Sequence, residues 1–292
     1  MRILPPVVTA FIFICSCLSV HAQCLSGDCQ EGRGKYKAAN GDTYEGEFKK
    51  SRPNGYGTVR YKNGGTYTGL VSDGIPEGKG SFLFPSGEKC EGLFRAGKLE
   101  GQGTMVFANG ARYTGSFQDG NPEGTGILVH ENGDNYEGQF KDGKMSGNGT
   151  YSYSSGTKYK GEFRNGKFNG QGTITFMDRE KGAGEYTGQF KNGAISGKGT
   201  FTYSNGDRIE GEFAGDRING RGAYYFSNGA KYTGSFKDGK FSGRGEYIFQ
   251  NGMRYEGEFS ENRFHGNGTL YDSAGKVLQK GKWEKDQFKD RQ

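Results

Sequence analysis

Residues 159 to 176 read YKGEFRNGKFNGQGTITF, and variants of this stretch return along the chain with a period of 23. Counting Tyr159 as offset 0, the unit is Tyr-x-Gly-x-Phe-x-x-Gly-x-x-x-Gly-x-Gly, followed by an aromatic at offset 17 and Asn-Gly at offsets 19 and 20. Copies start at Tyr44, Tyr67, Cys90, Tyr113, Tyr136, Tyr159, Tyr186, Ile209, Tyr232 and Tyr255. All steps are 23 residues except one of 27, which puts a four-residue insertion in the MDREKGAGE stretch after Phe176. Glycine occupies offsets 2, 11 and 13 in all ten copies, so the chain must fold as a stacked array in which each short unit leans on its neighbours.

Alternation sets the local structure. In YEGEF, YTGSF and GTFTY the apolar residues fall on every second position, which is the period of a strand and leaves no helical stretch. Each copy therefore reads as two short strands joined by a loop over offsets 5 to 12. Asn-Gly at Asn40, Asn63, Asn109, Asn132, Asn205, Asn228 and Asn251 supplies the positive φ of a tight turn between copies. A three-residue turn with a glycine bulge keeps the offset-17 ring and the next Tyr on one face, where a two-residue turn would split them.

Within a copy, the simplest antiparallel register sets offset 0 against 17, 2 against 15 and 4 against 13. It predicts Tyr159 beside Phe176, Ile174 over Gly161 and Phe163 over Gly172. The expected fold is all-β: an elongated, twisted, single-layer antiparallel sheet of about ten hairpin repeats, roughly 95 Å long at about 4.8 Å per strand. Partial copies flank the array, one with Gly32, Gly34 and Asn40-Gly41, the other with Gly281 and Trp283, as capping units do.

Composition agrees with that reading. The 292 residues include 55 Gly, 18 Tyr and 22 Phe, too many rings for a disordered chain. Lys plus Arg outnumber Asp plus Glu by 39 to 33, with the signs mixed along the length, so no dedicated nucleic-acid footprint is present.

Residues 1–22, MRILPPVVTAFIFICSCLSVHA, combine Arg2, an apolar run and small residues at the end, the pattern of an export signal cleaved after Ala22. Retention as an anchor and lipidation at Cys17, within Ile14-Cys15-Ser16-Cys17, are the alternatives. Export, whether to the medium, the periplasm or the cell surface, is the expected destination. Residues 23–31 then hold Cys24 and Cys29, whose spacing in an oxidising compartment favours a local disulfide. Residues 32–43 form the partial first copy, 44–277 the array, and 278–292 the closing cap. Cys90, in the place of a Tyr, reads as a small buried hydrophobe.

Enzyme signatures are absent from this pattern. His21 lies in the export signal, His130 at an offset-17 ring position and His265 in a loop, so they form no metal or catalytic cluster, and no phosphate-binding glycine motif has the right spacing. His130 stands at a ring position. The acid pairs Glu45 and Glu47, Glu210 and Glu212, and Glu256 and Glu258 alternate away from the rings and read as solvated rather than as glycosidase carboxylates. No catalytic residue, cofactor or metal is expected.

The unit Tyr-x-Gly-x-Phe-x-x-Gly-x-x-x-Gly-x-Gly-x-x-x-Tyr-x-Asn-Gly resembles the MORN repeat, the membrane occupation and recognition nexus motif, over about residues 30 to 284. The resemblance implies an extended, grooved sheet of hairpins used for binding or assembly, with membrane lipids, protein partners or self-association as its attachments. Departures are Cys90 and Ile209 at the Tyr place, Val71 at a Phe place, and Ser51, Asp216 and Asn262 at the first loop Gly.

The loop tips carry the candidate interaction edge. Offset 8 is basic at Arg52, Lys98, Lys144, Lys167, Arg217, Lys240 and Arg263, and the next residue is always apolar or Pro: Pro53, Pro76, Leu99, Pro122, Met145, Phe168, Ile195, Ile218, Phe241 and Phe264. Two readings stand: an apolar side chain folded back over its own hairpin, or a basic and apolar edge facing a protein partner or an anionic membrane surface. The expected function is a non-catalytic, exported binding or assembly scaffold. Its alternative is a glycan binder that stacks sugars on an exposed ring face.

Overall fold

The computed structural model describes residues 22–177 and 183–289. The proposed export signal, with Cys15, Cys17 and His21, and most of the four-residue insertion lie outside the described residues. The rest falls into two compact units, 22–154 and 155–289, holding copies one to five and six to ten. Every described element is a β-strand. In the first unit they run from Gln23–Gly27 to Lys144–Ser152, in the second from Lys158–Arg164 to Gln287–Lys289. Within each unit each strand pairs antiparallel with its sequence neighbours, so both are open meanders of hairpins.

The turn inside a copy is tighter than the loop read from sequence. In copy six Lys158–Arg164 runs straight into Lys167–Phe176. Arg164 pairs with Lys167, so only Asn165 and Gly166 form the turn. Both have positive φ, 51° and 74°, as a two-residue hairpin turn of this hand requires. Asn262 and Ser51 adopt it at φ 66° and 61° where Gly is replaced.

Beyond that turn the register corrects the expectation. Tyr159 pairs with Ile174, Gly161 with Gly172, and Phe163 with Phe168; Phe176 has no partner in Tyr159 and Phe163 does not lie over Gly172. A bulge between Gly161 and Phe163 makes the shift, and the offset-11 glycine absorbs it at positive φ, 67° at Gly170. The slip is an even number of residues, so offsets 4 and 9 stay on the Tyr face.

Between copies the turn has three residues. Tyr61 donates its N–H to Gly65 (2.9 Å) and accepts that of Gly64 (2.9 Å), with Gly64 at φ 96°. This odd turn keeps the offset-17 rings beside those of offset 15, as at Phe82 and Phe84, 4.6 Å apart.

Glycine consequently faces glycine on strand pair after strand pair, up to the last pair of the second unit, which has none: Gly46, Gly57, Gly69, Gly80 and so on, and again Gly161, Gly172, Gly188 and Gly199. The Tyr ring of each copy lies flat along this bare row. A Cβ on Gly161 would stand 2.6 Å from the Tyr159 oxygen and 2.5 Å from the Gly172 Cα, which no side chain tolerates. The hydroxyl then reaches the backbone three residues on, as from Tyr67 to the Leu70 carbonyl (2.7 Å) and from Tyr159 to that of Glu162 (2.9 Å). Tyr67, Tyr113, Tyr136, Tyr159, Tyr186, Tyr232 and Tyr255 are fully buried, although only one sheet layer surrounds them. Where Tyr is missing, the offset-9 side chain fills the hollow: Leu99 over Gly92 in the Cys90 copy, Ile218 over Gly211 and Gly222 in the Ile209 copy.

Trp283 closes the second unit. It is buried against Tyr255 at 5.2 Å, and its indole N–H donates to the Gly268 carbonyl (3.2 Å). At the other terminus Cys24 and Cys29 are joined by a disulfide, Cα to Cα 6.1 Å.

Candidate functional sites on the two faces

The ring face is closed. Three Tyr rings are sealed from above by an offset-9 Phe: Phe168 stacks on Tyr159 at 3.8 Å, Phe241 on Tyr232 at 3.8 Å and Phe264 on Tyr255 at 3.9 Å, while Phe163 and Phe190 meet Tyr159 edge-on. The rings that a stacked sugar needs in the open are covered. Among the described residues, half-buried rings on this face include Tyr61, Phe84, Tyr153, Tyr203 and Phe226 at offset 17 and Phe201, Tyr224 and Tyr247 at offset 15.

The same geometry places the sequence-derived edge. Leu99, Met145, Phe168, Ile218 and Phe241 are buried in the ring layer and Phe264 is half-buried, so these residues fold back over their own hairpins and form no apolar line at a tip. Their basic neighbours Lys144, Lys167, Arg217, Lys240 and Arg263 are exposed, and Lys98 about one-third so. Several meet an acid of the following copy: Arg52 with Asp73 (3.6 Å), Lys98 with Asp119 (2.6 Å), Lys240 with Glu261, and Arg263 with Asp286 (4.0 Å). Such exposed pairs add little stability, but they cancel the charge that an anionic surface would meet.

The acids that alternate away from the rings are also engaged. Glu47 accepts the N–H of Tyr56 (3.1 Å) and Glu258 that of Asn267 (3.3 Å), each at the bulge. Glu210 pairs with Arg208, and Glu256 with Arg254 (2.9 Å). Glu77, Glu100 and Glu123 accept N–H groups of the next copy's turn, at Ala96, Asp119 and Asp142. These are backbone supports. Among the described residues no group of three or more His, Cys, Asp or Glu could hold a metal ion. Burial pushes the Cys90 thiol up to about 12, so it stays protonated and inert. His130 sits 6.2 Å from the Tyr151 ring, and burial holds its imidazole below the ordinary range.

The family model described as the MORN repeat matches residues 30–43, 44–66, 67–89, 90–112, 113–135, 136–158, 159–180, 186–208, 210–231, 232–254 and 255–277. The chain belongs to the MORN-repeat family. No curated protein matches it. Among solved structures, the MORN array resembles a point mutant of the TCP10 domain of Danio rerio CPAP: 15% identity, TM-score 0.40, covering 77% of this chain and 99% of that one. A second is the SAS-4 (dCPAP) TCP domain of Drosophila melanogaster in complex with a proline-rich motif of Ana2, at 17% identity and TM-score 0.25, covering 63% and 85%. A third is a catalytically inactive virginiamycin B lyase from Staphylococcus aureus with quinupristin, at 10% identity and TM-score 0.17, covering 88% and 96%.

What sequence reasoning missed is the opposite face of the MORN array. In the first unit it exposes Tyr56 (52%), Leu70 (43%), Leu83 (48%), Leu93 (48%), Val106 (36%), Ile127 (44%) and Val129 (43%). Leu83, Val106 and Val129 all fall at offset 16 and make a row across alternate strands, with Lys89 and Arg112 between them in register. The signal was available: offset 16 is apolar in those three successive copies, a pattern hidden while attention rests on the invariant positions.

Proposed function

We propose that this MORN protein is a non-catalytic protein-binding scaffold that docks its partner on the apolar back face of the first unit. The MORN-repeat architecture is consistent with a protein-interaction role. The observation that carries the reading is the row Leu83, Val106 and Val129, with Leu70 and Leu93 exposed on the same face four residues further along their strands. Singly scattered exposed apolar residues are ordinary, whereas aliphatic side chains that recur in register on one open face mark a candidate interaction surface. A protein surface suits it better than a lipid one, because Lys89 and Arg112 interleave the row without forming a basic field and four of the seven basic loop-edge residues are paired with acids. We place the protein outside the cytosol, a reading supported by the signal-like residues 1–22 and by the Cys24–Cys29 bridge, which suits an oxidising compartment.

Proximity labelling in the native host tests this with three chains: wild type, Leu83→Lys with Val106→Lys, and Arg221→Gln with Arg244→Gln. The expected result is one or a few neighbours lost only in the Leu83 and Val106 variant. Identical neighbour sets for all three would overturn the proposal. Sedimentation of the purified chain adds a second arm: dimerisation abolished by the same variant would make the partner a second copy.

A further inference from the structure

On the back face of the second unit a groove of about 1040 Å³ follows the glycine row across the strands. Its floor is the bare backbone of Gly211, Gly222 and Gly234, and Lys198, Arg221 and Arg244 line it, all at offset 12. In register, Lys198 lies beside Glu212, Arg221 beside Ser235 and Arg244 beside Glu258. Ser235 stands where copies one, six, eight and ten carry Glu47, Glu162, Glu212 and Glu258, so Arg221 faces a neutral neighbour.

Glu210, Glu246 and Glu258 are engaged by other groups, and Glu212 lies at the groove margin. Glu210 is paired with Arg208 and Glu246 with Arg254 (3.3 Å), Glu258 accepts the Asn267 N–H, and the Glu212 carboxylate lies over Gly220. Arg221 and Arg244 are exposed, and among the described residues neither takes part in an ion pair of 4.0 Å or less.

We propose that this groove binds an extended acidic peptide lying across the strands, its carboxylates gripped by Arg221 and Arg244. Guanidinium groups hold carboxylates through paired hydrogen bonds, and small residues between them, Ala223, Thr233 and Ser235, let a backbone approach the floor. The spacing selects the peptide's conformation. Arg221 and Arg244 rise from alternate strands, and at about 4.8 Å per strand their roots are about 9.6 Å apart.

A polyproline II chain turns once in three residues at about 3.1 Å each, so like-facing side chains recur every ~9.3 Å. A β-strand repeats every ~6.7 Å and also needs hydrogen-bonding partners. The groove offers it none, because Arg217–Tyr225 and Lys240–Ile248 are paired on both sides. The peptide therefore carries Asp or Glu at every third position. A uniform polyanion fits worse, since Glu212 and Glu246 flank the cations. This site is separate from the apolar face of the first unit and does not depend on it.

Fluorescence anisotropy of the full chain with labelled (Glu-Pro-Pro)5 tests the proposal. Saturable binding is expected, weakened about tenfold or more in Arg221→Gln with Arg244→Gln, and unchanged in Leu83→Lys with Val106→Lys. A peptide of the same composition with its Glu residues clustered at one end should bind about tenfold more weakly. Equal binding by the double Gln variant, or by the clustered peptide, overturns the proposal. So does retention on phosphatidylserine vesicles that is lost in that variant, which would assign the groove to lipid headgroups. Both arginines are exposed, and matching far-ultraviolet spectra and melting temperatures establish that the variant is folded.

Discussion

At offset 9, the position from which a side chain can seal the Tyr-position hollow, the first unit carries Pro53, Pro76, Leu99, Pro122 and Met145, and the second Phe168, Ile195, Ile218, Phe241 and Phe264. The back faces diverge further. At offset 16 the first unit bares Leu83, Val106 and Val129, whereas the second has Tyr225 and Tyr271 there, each under a cation: Arg208 at 4.2 Å and Lys231 at 5.1 Å over Tyr225, Arg254 at 4.6 Å over Tyr271. The lesson is that a recurrent layer of Gly and Tyr, with one Tyr replaced in each unit, carries the fold alike in both units. The opposite face lies outside that layer and is free to differentiate: an aliphatic row interleaved with Lys89 and Arg112 in one unit, Tyr rings under cations in the other.

The comparison is tested first at the shared layer, with alkali. Burial pushes the Tyr113 and Tyr232 hydroxyls up to about 12, one in each unit. A raised folded pKa means that the unfolded chain loses these protons first. The stability is therefore intact below about pH 10 and is lost as pH climbs toward about 12. Circular dichroism should show both units losing all strand signal in one alkaline transition; two well-separated steps would break the claim of a common layer.

Next in size are Gly115→Val and Gly161→Val. A Cβ at either stands 2.6 Å from its Tyr oxygen and 2.5 Å from the facing glycine Cα. Each should lose about 3 kcal/mol or more in chemical denaturation, and unequal losses would again divide the two layers. The seals should behave differently. Phe241→Ala removes a ring stacked on Tyr232 and should cost about 3 kcal/mol, while Pro122→Ala removes a smaller side chain and should cost about 1 kcal/mol.

Smaller still is a pH effect confined to the first unit. Burial lowers the His130 pKa, so the unfolded chain binds the proton more readily. Stability is full above about pH 6.5 and falls as pH drops from there toward the folded value. Melting at mildly acid pH should show this drop in wild type and lose it in His130→Phe. Smallest is Leu83→Thr with Val106→Thr on the back face, which should change stability by no more than about 0.5 kcal/mol per site while removing the partner.

Much of this architecture was legible because it is periodic. The recurrence of Gly and Tyr, the alternation in YTGSF and the Asn-Gly turns specify hairpins, one ring face and an odd turn between copies, since each follows from spacing alone. Register was not legible. Offsets 5 to 12 look like a loop, but Asn165-Gly166 closes the turn in two residues and Gly170 absorbs a bulge, and an even slip leaves every apolar residue on its expected face. A period of two cannot report a shift of two.

Nor could spacing reveal that Phe168 belongs over Tyr159 instead of at a tip, or that Arg52 and Lys98 meet acids of the next copy. The sequence by itself determined a one-faced hairpin array. Only the tertiary structure decided that glycine meets glycine beneath each Tyr and that the opposite face is the open one. Those outcomes depend on contacts between strands, where the bulge and the neighbouring copy set what each side chain touches.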